Sequence, residues 1–271
     1  MPQLTLDYRC RHQNVPLYLK HAEVEELAWR ARRRLVGEDV EAVTLDLLTE
    51  IDGLRINGLA MGLWIDIDHP VNDEQGEPVL GVCEYDPDAS PDAALVSVTP
   101  VGESMSAELA LSTLAHELGH AVFDAPGWVA VNRRGPGLFD DPGDFSRKAF
   151  RTTTHNAEHL AAPLQDAAAS TLSSSQRTTH FAELRANEFM GSLLVPRQLL
   201  TRAAEALAPD FGIALGNRPG LFAESAPECK GGLSDLNGLQ KSLARRFGVH
   251  RRFIVVRMAR YGLVSTFHSS H

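Results

Sequence analysis

In the stretch Leu109-Ala-Leu-Ser-Thr-Leu-Ala-His-Glu-Leu-Gly-His-Ala-Val-Phe123, two histidines stand four residues apart with a glutamate directly after the first. On a helix, His116 and His120 then occupy one face, one turn apart. Two neutral imidazoles so placed can share one Zn2+ at about 2.0–2.1 Å each. Glu117 projects roughly 100° away around the helix, beside such a metal rather than onto it. That is the position of a base for a metal-bound water in the H-E-x-x-H pattern. The plainer reading is a surface helix that happens to carry two histidines. With 11 histidines in 271 residues, a chance match is expected about 0.03 times per chain. The flanks Leu111, Leu114, Ala115, Leu118, Ala121, Val122 and Phe123 are apolar, which predicts a buried helix. A buried His-Glu-His cluster needs partners, and a metal supplies them.

Downstream of Asp124 the periodicity collapses. Gly, Pro, Asp, Ser and Thr dominate from Pro126 to Ser175, so residues 125–177 read as an inserted loop. Within it His155-Asn-Ala-Glu-His159 matches H-x-x-E-H, a second zinc pattern. Its polar flank and the following Pro163 provide no long buried helix to hold the pair, so exposed histidines on a loop covering the site are the favoured reading. Regular pattern resumes with a helix over Phe181–Val195, ended by Pro196. Most helix glutamates pair with a neighbour or with solvent. A catalytic zinc held by two histidines still lacks one protein ligand, however, and Glu183 is the best candidate, with Asn187 one turn further on the same face. Further helices are expected over Arg197–Leu207, Asp235–Phe247 and His250–Tyr261.

Upstream, apolar spacing predicts helices over Lys20–Val36 and Val40–Ile51. Three strand-like runs follow: Met61–Asp68, Val79–Tyr85 and Ala94–Thr99. Pro70–Pro78 could close a hairpin between the first two. Ser104 or Ser106 then caps the histidine helix. The expected fold is α+β: a small three-stranded sheet packed on the H-E-x-x-H helix, mainly helical elsewhere, with a C-terminal helix-turn-helix-like pair. The chain divides into an N-terminal helical segment (1–60), a metal-binding core (61–208) and a connector with the C-terminal pair (209–271).

The net charge of −9 argues against indiscriminate nucleic-acid binding by the whole molecule. From Leu236 to His271, however, there are seven Lys/Arg and no acidic residue. Cys10, Cys83 and Cys229 form no C-x-x-C pair, which suits a reducing cytoplasm. No apolar run approaches membrane-spanning length and no signal core opens the chain. A soluble cytoplasmic protein is expected.

The segments Thr113–His120, Glu183–Pro196 and Leu243–Met258, in that order, give the chain a pattern that resembles the ImmA/IrrE family of zinc metallopeptidases. The resemblance implies a gluzincin-like core holding one Zn2+, with His116 and His120 as ligands, Glu117 as general base and Glu183 as third ligand. Asn187 would orient a ligand from behind. It further implies a helix-turn-helix (XRE-type) transcriptional repressor as substrate, cut or inactivated in a stress-response, prophage or mobile-element pair. A donor for the developing oxyanion is still needed, and Tyr85, His155, His159, His180 and Arg185 are candidates. Two alternatives remain. The C-terminal pair, with Lys241, Arg245, Arg246, Arg251, Arg252, Arg257 and Arg260, could bind DNA; or the protein could sequester a repressor without cutting it.

Overall fold

The computed structural model describes residues 3–73, 75–136, 145–153, 173–213 and 233–264. The elements, in chain order, are β1 (Gln3–Leu6), α1 (His21–Val36), α2 (Leu45–Thr49), β2 (Gly53–Ile56), β3 (Leu59–Asp66), β4 (Gly81–Tyr85), β5 (Ala93–Val98), α3 (Ala107–Phe123), α4 (Ala125–Arg134), β6 (Lys148–Thr152), α5 (Ser174–Leu194), α6 (Arg197–Leu207), α7 (Leu233–Phe247) and α8 (Arg251–Arg260). The class is α+β, as expected.

The sheet is larger than the three expected strands. Six strands run in the order β1-β2-β3-β5-β4-β6. β1 lies parallel to β2 and β3 parallel to β5, while the other neighbours are antiparallel. β2 and β3 form a hairpin through Asn57 and Gly58, both at positive φ, the backbone that a tight two-residue turn demands. In β3 the buried Met61 and Leu63 alternate with the exposed Trp64, the half-buried period that made this strand readable. Pro70–Pro78 does not close a hairpin, because β5 sits between β3 and β4. β5 is consequently an inner strand; the outer strands are β1 and β6.

Three other expectations change. The helix expected over Val40–Ile51 contracts to the five residues of α2, capped by Thr44. Residues 125–177 are not all loop, since they contain α4, strand β6 and the start of α5. α5 begins two turns before Phe181, because Ser173 and Gln176 form a capping box there. Residues of the first sixty, including Leu4, Leu6, Leu27 and Leu54, share one hydrophobic core with α3 and α5.

α3 is the centre of that core. Ser106 caps it by accepting from the Leu109 N–H at 3.2 Å, and every residue from Ala110 to Phe123 is buried. It is packed between the sheet and α5, and two glycines set both spacings. A Cβ at Gly81 of β4 would lie 2.6 Å from Thr113 Cγ2, and one at Gly119 would lie 2.8 Å from Ala186 Cα. α5 is itself anchored by Arg32 of α1. That fully buried guanidinium donates to the Leu193 and Leu194 carbonyls at the end of α5, and to those of Val40 and Glu41. A cation at a helix C-terminus meets its exposed carbonyls. Burial lowers the Arg32 pKa to about 10, still charged at neutral pH.

Candidate metal centre

The i, i+4 spacing of α3 puts His116 Nε2 and His120 Nε2 3.2 Å apart. α5 brings Glu183 to both: Oε2 lies 3.3 Å from His116 Nε2 and Oε1 lies 3.6 Å from His120 Nε2. This largely buried group could hold a metal ion. Donors at about 2.0–2.1 Å from a tetrahedral zinc are separated by about 3.3 Å. The two imidazole nitrogens stand at 3.2 Å, each has a different Glu183 oxygen at 3.3 or 3.6 Å, and one ligand atom from each residue places all three within 4.8 Å of one another. Two nitrogens and a carboxylate oxygen are also the donor types that suit such an ion.

Each imidazole is oriented from behind. His116 Nδ1–H donates to Asn187 Oδ1 at 3.0 Å, and His120 Nδ1–H donates to Asp124 Oδ2 at 2.9 Å. Oxygen acceptors at Nδ1 fix the tautomer that leaves each Nε2 lone pair facing the centre. Asp124 is in turn held by Arg185 at 2.8 Å. The Phe150 ring of β6 lies flat against His120, with centroids 4.1 Å apart.

The charges agree with a cation site. Burial alone would raise the Glu183 carboxyl, but hydrogen bonds with His116 and His120 outweigh it and hold the group well below the usual carboxylate range. Burial likewise disfavours a charged His120, yet hydrogen bonds to Asp124 and Glu183 push its pKa up to about 10 in the metal-free protein. The centre therefore attracts one positive charge even before a metal is considered.

Glu117 stands beside this triangle, fully buried between α3 and the sheet. Thr152 Oγ1, at the end of β6, donates to Glu117 Oε1 at 2.6 Å, while Oε2 is buried with no hydrogen-bond partner among the described residues. Burial pushes the carboxyl up, against the nearby His116 and His120 and the Thr152 hydrogen bond.

Other residues singled out from the sequence fall in different places. His180 shares a face of α5 with Glu183 and Asn187, at i, i+3 and i+7, and among the described residues its Nε2 is buried without a hydrogen-bond partner. Tyr85 donates its hydroxyl to the Pro91 carbonyl at 3.0 Å, and Arg185 serves Asp124. His155 and His159 lie outside the described residues. In the C-terminal pair, Arg257 and Arg260 both bond Glu188 of α5, Arg246 bonds Glu41 and Arg251 bonds Asn237 and Gln240.

Asp124, Phe150 and Thr152 were not anticipated. Asp124 follows His120 by four residues, so the spacing that paired the histidines also predicts its reach. Phe150 and Thr152 depend on the register of β6 against β4, where Gly81 pairs with Thr152, and nothing local announces that. Among the described residues, no helix is long and apolar enough to cross a membrane. No family model matches this chain, and neither a curated protein nor a solved structure matches it.

Proposed function

We propose that this chain is a zinc-dependent endopeptidase in which Glu117 is the general base. The observation that carries the reading is the pairing of the His116, His120 and Glu183 donor group with a buried carboxylate that has one oxygen tethered and the other without a hydrogen-bond partner among the described residues. A structural metal site has no use for such a base. When held by His116, His120 and Glu183, Zn2+ supplies Lewis acidity, lowering the pKa of water toward about 7 and polarising a carbonyl.

The chain's own residues do the rest. Thr152 holds Glu117 Oε1, so that Oε2 is the atom that takes a proton from the attacking water and passes it to the departing amine. Asn187 and Asp124 keep the imidazoles in register. Among the candidates within the described residues, His180 Nε2, one turn before Glu183, is the donor for the developing oxyanion, since Tyr85 and Arg185 are committed elsewhere. Phe150 and Thr152 of β6 touch His120 and Glu117, so this strand forms one wall of the centre.

The substrate is an XRE-type helix-turn-helix repressor, acted on in the cytoplasm. This part rests on the resemblance to the ImmA/IrrE family through Thr113–His120, Glu183–Pro196 and Leu243–Met258. Direct DNA binding by α7 and α8 is the weaker reading, because four of their arginines are engaged within the protein.

The test is co-expression with a repressor encoded in the neighbouring reading frame, comparing wild type with Glu117→Gln. Wild type is expected to cut the repressor, and Glu117→Gln to retain one zinc per chain with cleavage slowed at least about 100-fold. Undiminished cleavage by Glu117→Gln would sink the assigned base. Binding without cleavage by either protein would favour sequestration instead.

A further inference from the structure

Phe150, whose ring stacks on His120, also lines a groove of 580 Å³. Its size is within the range of about 300–1,000 Å³ typical of small-ligand pockets. The segment before α1 contributes Tyr18, α4 contributes Trp128, β6 contributes Phe150, and α5 contributes Phe181 and Leu184, with Asp124 among the lining residues. The aromatic rings are arranged in two pairs. Tyr18 meets Phe181 edge-on at 6.1 Å, and Trp128 stacks on Phe150 at 5.8 Å.

Two further properties indicate what the groove takes. First, its rim leaves large apolar groups in water. Tyr18 is 62% exposed and Val15 43%, although only five large hydrophobics are exposed among the described residues. Exposed apolar surface gathered on one concavity marks a contact site. Second, the charge is reversed relative to the molecule. In a chain of net charge −9, Arg11, Lys148 and Arg185 line the groove with Asp124 as the one carboxylate among the described lining residues, and Lys148 has a partner of its own. That carboxylate is already engaged by Arg185 and His120, while Arg11 is exposed.

We propose that this groove binds an acidic peptide segment that presents a large apolar side chain beside a carboxylate. The side chain enters between the two ring pairs, where aromatic walls bury it at low entropic cost. The carboxylate meets Arg11 at the rim, and the cationic lining disfavours basic peptides. The groove adjoins the donor group, since its Asp124 and Phe150 both contact His120, but peptide binding there stands whether or not the metal centre hydrolyses peptides.

The test uses the full chain and capped peptides Ac-Gly-Phe-Glu-Gly-NH2, Ac-Gly-Ala-Glu-Gly-NH2 and Ac-Gly-Phe-Lys-Gly-NH2, followed by calorimetry and tryptophan emission, with mass spectrometry to confirm that the peptides stay intact. The Phe-Glu peptide is expected to saturate the protein and to bind at least about fivefold more tightly than the other two. Arg11→Glu should weaken it by about fivefold or more and shift preference toward the Phe-Lys peptide. Tyr18→Ser should weaken it similarly, and Arg252→Glu, an exposed charge reversal on α8, should leave it unchanged. Equal binding of all three peptides, no saturation, or an Arg11→Glu protein with unaltered affinity would overturn the proposal. So would displacement of the peptide by decanoate at lower concentration, which would assign the groove to a lipid-like amphiphile.

Discussion

Glu117 has two oxygens in unlike surroundings, one held by Thr152 and one unpaired. A hydrogen bond to a charged group contributes about 1.5–3 kcal/mol, so Thr152→Val should release the carboxylate and lower turnover by roughly tenfold or more. Thr152→Ser keeps the hydroxyl and should restore most of it. Zinc content by atomic absorption should stay at one per chain in both, because Thr152 touches no ligand. A fall in zinc content alongside activity would instead make Thr152 a packing residue. His180 offers a parallel measurement at the same scale. His180→Ala should reduce turnover by about 100-fold if its Nε2 meets the oxyanion, without changing zinc content.

At the scale of the elements, the centre depends on how closely α3 and α5 approach. Gly119→Ala places a methyl against the Ala186 backbone, where no flexible side chain can yield. Overpacking of this kind costs about 1–3 kcal/mol. It should also move Glu183 off the histidine pair, so apparent zinc affinity should fall by about tenfold or more in a competition assay with a chelating dye. α5 is tied on its other flank to α8 through Glu188. Its carboxylate takes Arg257 at 3.0 Å and Arg260 at 2.9 Å, and Gly191 leaves the room that the Arg257 guanidinium fills. Removing one partner of such a buried pair strands the others, so Glu188→Ala should cost about 3–5 kcal/mol in urea unfolding. Burial would raise the Glu188 carboxyl, but the His21 hydrogen bond and the charges of Arg257 and Arg260 depress it from 4.5 to about 2. Its contribution is therefore complete above about pH 4.5 and is lost as pH falls toward about 2, because the unfolded chain takes up the proton first. Thermal unfolding across that window should show wild type losing more stability than Glu188→Gln. Equal losses would mean the depressed carboxyl lies elsewhere.

Taken whole, the molecule was legible where chemistry and periodicity coincide. The apolar run around His116 and His120 predicts both a buried helix and a ligand pair. Arg197–Leu207 emerged with its observed bounds because Pro196 punctuates it. The sheet was half-read. β1 has four residues, and β6 reads Lys-Ala-Phe-Arg-Thr, mostly half-buried and without alternation, so neither carries a period. Strand order is a property of pairing between distant segments, which is also why Phe150 and Thr152 escaped notice while Asp124 lay within reach of the i, i+4 rule. A bound ion should stabilise the assembly by mass action: about 2.7 kcal/mol at one hundred times the dissociation constant. Stripping it with EDTA should therefore lower the Tm by roughly 5–10 °C. The donor triangle also has a temporal side. His116 and His120 meet as soon as α3 winds, whereas Glu183 arrives only after a long intervening stretch has been synthesised and α5 has docked through Gly119. A nascent or refolding chain thus passes through a stage with half a site, which grips a divalent cation weakly. On the proposed reading, loading would follow folding rather than nucleate it, the reverse of a zinc finger. Added zinc should accordingly leave the refolding rate alone and slow the unfolding rate, making the ion a brake on opening instead of a seed for assembly.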